Sequence, residues 1–571
     1  MISPTRIRAC ERIPVIRFLC VLLLLATAEQ ATAQWVFHGP GPIADGQVEG
    51  ITDGEVVGAV HDVAPHPSDA DILYIGTVGG GVWRTTNATA ADIHWESLTD
   101  HEVSLSIGAL EFDPTDPTNQ TLVAGIGRFS SFGRRGGDRA GVLRTTNGGA
   151  AWALIDGGGT IDGLNVSGVA PRGATIVIAA NDADGWGDDG IWRSTDTGAT
   201  WDQISGGLGT GLPAGESYDL VGDPGDDTQL FTNAGGNGIY RSDDTGANWA
   251  LVSDATMNGM IATASNVEIA VGLNNNVFVA IVDAGERLEA IFRSGDDGGT
   301  WTQLDLPVTT VGAVDTGIHP GAQGNIHLSI AADPVDDDIC YVGGDRQPYD
   351  DEEGGAPGWP WFPNSIGAND FSGRLFRVDA SQPAGSQADP LTHVNTSSNS
   401  APHADSRDMA FSAAGELIQG DDGGVYRHSA PRTNTGDWFS LVGDLQATEL
   451  HNAGWCSVAK IVLGGAQDVG TPEQELPVNL RWLTVEAGDG GDIAIDDTGT
   501  AGNSVRYSSY YDLGTFRRLT YDASNTLLSY DEPLLTVTSG SAFNGQFTTP
   551  VELNNVDPDR MVIGGDNATY E

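Results

Sequence analysis

The stretch Ile191-Trp192-Arg193-Ser194-Thr195-Asp196-Thr197-Gly198-Ala199-Thr200-Trp201 decides the fold. Two apolar residues and an arginine come first, then a polar turn, and then a tryptophan. The Asp of such a turn can accept backbone N–H bonds, and the Gly can adopt the positive φ that the turn needs. The tryptophan is a large apolar group, which we expect to pack against a neighbouring unit. The stretch therefore predicts a β-hairpin with a structural turn.

The same pattern recurs along the whole chain. Its arginines are Arg84, Arg144, Arg193, Arg241, Arg293, Arg377 and Arg427. The repeat length is about 50 residues, which is typical of four-stranded propeller blades. We therefore predict an all-β protein with a seven-bladed β-propeller of four-stranded blades over residues 34–445.

The pattern changes after residue 445. The segment from Leu463 to Gly470 opens a new region without the hairpin motif, and the chain stops within Ile563–Glu571, which reads as the inside of a blade. We predict that residues 446–571 begin a second, incomplete propeller. A C-terminal continuation or a partner segment would complete that ring.

Residues 1–33 read as a signal peptide. Basic residues precede an apolar run from Phe18 to Ala28, and Ala31-Thr32-Ala33 supplies a cleavage site of small residues. The run is too short to span a bilayer, so we predict a secreted, periplasmic or cell-surface protein without membrane insertion. An uncleaved anchor is the alternative.

The net charge of −51 argues against two classes of binding partner. Nucleic-acid binding needs a basic face, and docking on anionic lipid needs basic residues as well, so neither is expected. Cys340 and Cys456 remain after signal removal. One disulfide is permitted in an exported protein, but two cysteines do not form a framework. We predict neither a cofactor nor a metal.

The turns described above are Asp boxes, and with three further segments they resemble bacterial Asp-box (BNR) repeat β-propeller proteins. That group is related to sortilin-type propeller domains and to tandem-propeller xyloglucanases. The three segments are Ala401-Pro402-His403-Ala404-Asp405, Gly420-Asp421-Asp422-Gly423-Gly424-Val425-Tyr426 and Gly464-Gly465-Ala466-Gln467-Asp468. The resemblance covers most of residues 55–571 and implies the propeller fold, whereas fold alone does not imply activity.

For the enzymes of this group, the resemblance implies two carboxylates that face each other across a cleft between two propellers. One belongs to a first-blade segment, which reads Gly76-Thr77-Val78-Gly79-Gly80 here, so that Val78 replaces the acid. Asp468 resembles the second carboxylate and is therefore the candidate catalytic residue. Inverting glycoside hydrolysis needs both an acid and a base. Half of the pair is missing unless another carboxylate substitutes.

We therefore predict a non-catalytic binding or scaffold module for a glycan or protein ligand. The alternative is a glycoside hydrolase of the xyloglucanase-like tandem-propeller type with a displaced acid or base. A second alternative is an adhesion or assembly module of a larger cell-surface protein.

Several residues are candidates for ligand contact. Gln467 and Asp468 would either face the central channel or the cleft between the propellers or, as we favour, cap a turn. His403, Asp405 and Asp422 would converge either on a metal or, as we favour, in a hydrogen-bonded network. Trp359 and Trp361 would form an aromatic platform or pack on the ring as a lid. A loop with four arginines could hold an anionic ligand or pair with carboxylates: Arg128, Arg134, Arg135 and Arg139.

Overall fold

The computed structural model describes residues 36–181, 189–207, 209–349, 362–369, 371–433, 435–499, 502–554 and 556–571. The predicted signal peptide, Trp359 and Trp361 lie outside the described residues. Gly39–Glu571 is one compact unit. Within the described residues, no helix is both long and apolar enough to cross a membrane.

The structure is almost entirely β, as predicted. A two-residue strand comes first, β1 (Ile43–Ala44). Seven four-stranded antiparallel sheets follow between Val60 and Ser440. The first three are β2 (Val60–Pro65), β3 (Leu73–Thr77), β4 (Gly81–Thr85), β5 (Trp95–Ser97); β6 (Ile107–Phe112), β7 (Leu122–Ile126), β8 (Val142–Thr145), β9 (Ala153–Leu154); and β10 (Asn165–Arg172), β11 (Thr175–Asn181), β12 (Gly190–Ser194), β13 (Asp202–Gln203).

The next two sheets frame a short helix. They are β14 (Leu220–Asp223), β15 (Asp226–Asn233), β16 (Ile239–Ser242), β17 (Ala250–Leu251); and β18 (Asn266–Val271), β19 (Val277–Val282), β20 (Leu288–Ser294), β21 (Thr302–Gln303). The helix between them is α1 (Ala255–Ile261). Asp254 caps it, because its carboxylate accepts the backbone N–H groups of Thr256 and Met257.

A small ladder precedes the last two of the seven sheets, and its strands are β22 (Thr309–Val311) and β23 (Val314–Thr316). The sixth and seventh sheets are β24 (Ser329–Ala332), β25 (Ile339–Arg346), β26 (Gly373–Asp379), β27 (Ala388–Pro390); and β28 (Asp408–Phe411), β29 (Leu417–Asp421), β30 (Gly424–His428), β31 (Trp438–Ser440). Short 3₁₀ turns occur at Thr52–Gly54, His393–Asn395 and Tyr511–Leu513.

The first strands of the seven sheets contact one another in sequence. β2 contacts β6, and the same contact is repeated through β10, β14, β18, β24 and β28. β28 then contacts β2, which closes the circuit. Each of the seven motif arginines lies in the third strand of its sheet. Each copy of the repeat therefore corresponds to one sheet, including the less regular copy at Arg377.

The turns have the geometry expected from the sequence. Ser194 Oγ donates to Asp196 Oδ1 at 2.9 Å and accepts the Gly198 N–H at 2.8 Å. Asp196 Oδ1 also accepts the Thr200 N–H at 2.8 Å. Gly198 has a φ of 81°, a conformation that favours glycine. The same bonds recur in the turns that start at Ser242 and Ser294.

The motif side chains also join neighbouring sheets. Arg193 donates to the Thr245 carbonyl in the next sheet's turn at 2.9 Å. Trp201 Nε1 donates to the Ile155 carbonyl of the preceding sheet at 2.9 Å. Equivalent bonds run from Arg241 to Asp297 (3.0 Å), from Arg293 to Asp337 (3.0 Å) and from Trp301 to Val252 (2.8 Å). The motif therefore has a structural role.

The described residues after Ser440 form three more sheets. They are β32 (Leu450–Cys456), β33 (Ile461–Ala466), β34 (Thr471–Gln474), β35 (Trp482–Glu486); β36 (Ala494–Asp496), β37 (Asn503–Ser508), β38 (Arg517–Asp522), β39 (Leu527–Asp531); and β40 (Val551–Leu553), β41 (Met561–Gly564), β42 (Thr569–Tyr570). β1 joins the first of these by pairing in parallel with β35. Cys340 and Cys456 are both buried and both free.

Candidate functional site

Asp422 is the centre of a buried ionic network. It lies in the turn between β29 and β30, and its side chain is fully buried. Arg407 Nε donates to Asp422 Oδ1, and Ser131 Oγ donates to Asp422 Oδ2 at 2.5 Å. His327 Nε2 lies 3.2 Å from Asp422 Oδ2, while His327 Nδ1 lies 3.1 Å from Asp405 Oδ1. Two cations and two anions therefore neutralise one another away from water.

The pKa values agree with an ionised network. Burial alone would lower the pKa of His327, but Asp405 and Asp422 raise it to about 9. Burial would raise the pKa of Asp422, but Arg407 and His327 hold it well below its usual range. His327, Asp405 and Asp422 have ligand atoms within 4.8 Å of one another, close enough for a metal. Because both Asp422 oxygens already accept hydrogen bonds, the hydrogen-bonded network describes this cluster better.

The structure brings only some of the predicted residues into this network. Asp405 and Asp422 belong to it, but His403 does not. His403 Nε2 lies 3.1 Å from the backbone carbonyl oxygen of Asp468. The histidine of the network is His327, which sequence analysis missed because no local pattern marks it.

Asp468 belongs to a second group of polar side chains. It lies in the turn between β33 and β34 with a φ of 61°. Gln467 Nε2 donates to Asp468 Oδ1 at 3.0 Å and to Asp489 Oδ1 at 2.6 Å. The Asp468 N–H also donates to Asp489 Oδ1, at 3.1 Å. Gln467 therefore holds two carboxyl groups side by side.

Of these two carboxyl groups, Asp468 has the surroundings that more strongly favour the protonated form. Burial and the charges of Asp422 and Asp489 raise the pKa of Asp468 well above its usual range. The Asp468 carboxyl bonds to the Asp489 carboxylate, which favours the proton on Asp468 and the charge on Asp489. A carboxyl group kept protonated in this way can act as a general acid.

Two cavities lie near this group, and Glu449, whose carbonyl accepts the Gln467 N–H at 3.0 Å, lines the first of them. One has a volume of 480 Å³, and its lining includes Glu449, His451, Phe132 and Phe547. The other has a volume of 780 Å³ and shares Phe132 and Phe547 with the first. The Phe132 ring lies 4.7 Å from that of His451 and 5.1 Å from that of Phe547. Aromatic rings thus line the polar space that Glu449 and His451 border.

The arginine loop contributes to these walls. The Arg135 guanidinium lies 4.9 Å from the centre of the Phe132 ring, and Arg128 Nε donates to the Gly137 carbonyl at 2.8 Å. These two arginines therefore hold the loop and its phenylalanine in place.

Val78 occupies an apolar position. It is fully buried and packs with Ala59 and Phe129. The Phe129 carbonyl accepts a hydrogen bond from Arg407 Nη1 at 2.7 Å. Ser130 follows, and its Oγ donates to Glu449 Oε2 at 3.1 Å. Glu449 could not be recognised from the sequence, because it lies 319 residues from Ser130, the residue that it contacts.

Comparison with known proteins gives two curated relatives, and both are xyloglucanases. The xyloglucanase of Paenibacillus sp is 25% identical over 268 residues, which cover 44% of this chain and 22% of that protein. The xyloglucanase of Hypocrea jecorina (strain QM6a) is 26% identical over 232 residues, covering 38% and 25%. The chain therefore spans about a quarter of the length of these relatives. No family model matches the chain.

Solved structures show the same fold. An ancestral GH74 enzyme superposes with a TM-score of 0.60 at 14% identity, covering 95% of this chain and 68% of that one. The GH74 enzyme of Niastella koreensis has a TM-score of 0.57 at 14% identity, covering 92% and 71%. The GH74 xyloglucanase of Xanthomonas campestris has a TM-score of 0.50 at 16% identity, covering 93% and 87%.

These findings correct the function predicted from sequence. A non-catalytic binding or scaffold module was the leading prediction, because Val78 replaces an expected acid. That prediction was wrong, since both curated relatives and the superposed GH74 proteins are enzymes. The comparisons place this chain beside glycoside hydrolases of the xyloglucanase type, which was the alternative.

Proposed function

We propose that this protein is an exported glycoside hydrolase that cleaves a β-glucan of the xyloglucan type. The observation that carries the proposal is Asp468, a carboxyl group with a raised pKa in a turn whose Gln467 N–H binds the carbonyl of Glu449, a residue that lines an aromatic cavity. The similarity to two xyloglucanases supports the same substrate class. Export rests on the sequence of residues 1–33.

Asp468 would act as the general acid. It would give its proton to the glycosidic oxygen as the bond to the anomeric carbon breaks. Asp489 would help to hold the Asp468 carboxyl group in position, because Gln467 donates a hydrogen bond to both carboxyl groups. Removing the proton donor should therefore slow cleavage far more than it weakens substrate binding.

The cavity walls suit a neutral sugar chain. Sugar rings stack on aromatic side chains, and the ring of Phe547 in the cavity wall lies 5.5 Å from the neighbouring Tyr511 ring and parallel to it within 10°. Both are partly exposed, at 49% for Tyr511 and 36% for Phe547. A neutral polysaccharide also avoids repulsion from a protein with a net charge of −51.

The fold that we propose for this activity is a pair of propellers. The seven sheets from β2 to β31 would form one seven-bladed ring, supported by the closed circuit of contacts between their first strands. The sheets from β32 to β42 would belong to a second ring. The boundary near residue 445 would place the candidate cleft between the two.

The test measures release of reducing ends from xyloglucan by the purified full chain. Cellulose and mixed-linkage β-glucan serve as comparison substrates. We expect cleavage of xyloglucan, and we expect Asp468→Asn to lower kcat by roughly 100-fold or more with little change in KM. Absence of cleavage of all three polysaccharides by the wild-type protein would refute the proposal.

A further inference from the structure

We propose that Glu449 is the second catalytic carboxylate, in place of the acid that Val78 removes; this rests on the proposed glycoside hydrolase function. Hydrolysis of a glycosidic bond by direct attack of water needs a base as well as an acid. Asp468 can supply only one of these groups. The base must be a carboxylate that lines a cavity close to the Asp468 turn.

The position of Glu449 meets this requirement. A Cβ placed on Gly79 would lie 3.6 Å from Glu449 Oε1, so the carboxylate reaches the residue next to Val78. Glu449 precedes β32, and its backbone carbonyl accepts the Gln467 N–H at 3.0 Å. Glu449 thus joins the first-sheet segment that lacks an acid to the turn that carries Asp468.

Competing carboxylates are less suitable. Asp422 is fully buried and bound to Arg407. Asp489 is held by Gln467 and by the backbone N–H of Asp468. Among the described residues that line the 480 Å³ cavity, Glu449 is the one carboxylate.

The surroundings also suit a base. Ser130 Oγ donates a hydrogen bond to Glu449 Oε2 at 3.1 Å. Ser130 therefore does not occupy the other carboxylate oxygen, Oε1. Burial raises the pKa of Glu449, and Ser130 and Arg407 partly oppose that rise. A carboxylate with a raised pKa accepts a proton more readily than an ordinary one.

The step balances with one water molecule. Glu449 removes a proton from the water molecule as the water oxygen bonds to the anomeric carbon. The bond from that carbon to the glycosidic oxygen breaks, and Asp468 protonates the leaving oxygen. Glu449 ends protonated and Asp468 ends ionised, and exchange with solvent restores both. This arrangement requires the two carboxyl groups to be about 6.5–9.5 Å apart.

The experiment compares Glu449→Gln, Glu449→Ala and a control, Glu289→Gln. Glu289 lies on β20 and is not among the residues that line either cavity. We expect Glu449→Gln to lower kcat on xyloglucan at least 100-fold at similar KM, with Glu289→Gln unchanged. Sodium azide should restore turnover of Glu449→Ala and yield a glycosyl azide, because the small anion fills the space of the lost carboxylate.

The outcomes separate the two proposals. If the wild-type protein cleaves no β-glucan, the proposed function fails and this inference fails with it. If the wild-type protein is active and Glu449→Gln keeps its kcat within threefold, only this inference is overturned. Loss of activity together with a lower Tm and no azide rescue would also overturn it, because that pattern indicates a structural role.

Discussion

His327 is a buried residue whose charge the fold depends on. It lies between Asp405 and Asp422, and its side chain is 2% exposed. An uncharged His327 would remove the cation beside Asp405 and leave Asp422 with Arg407 alone, in a region where water cannot compensate. Removing one partner of a buried ion pair is costly for that reason.

We predict that His327 makes stability depend on pH. Its pKa rises from 6.5 to about 9 on folding. A raised pKa contributes stability that is fully present below pH 6.5 and is lost as the pH rises through about 9. Urea unfolding of the wild-type protein should therefore show a decline of roughly 1–3 kcal/mol between pH 6.5 and pH 10.

Variants test this assignment. His327→Gln should be less stable than wild type at pH 6.5 and should lose most of the decline towards pH 10. His101→Gln, at an exposed position, should keep the wild-type slope. An unchanged slope in His327→Gln would show that other groups cause the pH dependence.

At the scale of one element, the Asp-box turn depends on a buried hydroxyl. Ser242 is 1% exposed, and its Oγ accepts the Gly246 N–H at 2.9 Å while donating to Asp244. In the second sheet Thr145 has the same role, since its Oγ1 accepts the Gly149 N–H at 3.0 Å. The turn thus requires a hydroxyl, whichever residue carries it.

We predict that Ser242→Ala destabilises the protein by about 1–3 kcal/mol, because it leaves a buried N–H without an acceptor. The urea midpoint measures the effect. Ser242→Thr is the matched control and should be nearly neutral. Equal destabilisation by both variants would indicate a packing effect and not a lost hydrogen bond.

The turns also explain how far the sequence predicts this structure. Ser194, Asp196 and Gly198 are neighbours in the chain, so their spacing predicts both the hairpin and the repeat. Glu449 and Gly79 meet only after the sheets have assembled, and so do His327 and Asp422. Val78 therefore shows from sequence which acid is missing, whereas the candidate replacement can be recognised only in three dimensions.

For the whole molecule, acidic side chains join the first strands of successive sheets. Asp62 Oδ2 accepts the Leu110 N–H at 2.8 Å, and Asp219 Oδ2 accepts the Ile269 N–H at 2.7 Å. Asp408 Oδ2 accepts the Val63 N–H at 2.8 Å and so joins the seventh sheet to the first. Burial raises the pKa of Asp219 to about 7 and that of Asp408 to about 6.

These carboxyls should make the assembled sheets more stable in mild acid. A carboxyl group whose pKa is raised on folding stabilises the folded protein at a pH below its usual pKa of 3.8. This stability is lost as the pH rises through the pKa in the folded protein, which is about 6 for Asp408. Asp408→Asn keeps an oxygen acceptor for Val63 but carries no charge. It should therefore raise the free energy of unfolding by roughly 1–3 kcal/mol at pH 8, and should have little effect near pH 4.

Asp408→Ala separates the charge from the hydrogen bond. It removes the acceptor as well as the charge, so it should be less stable than Asp408→Asn at both pH values, because the Val63 N–H then lacks a partner. Thermal melts of the three proteins at pH 4 and pH 8 provide the comparison. If Asp408→Asn lowered Tm at pH 8, the ionised carboxylate would be a net stabilising contact between the seventh sheet and the first, and the closure of the circuit would depend on that charge.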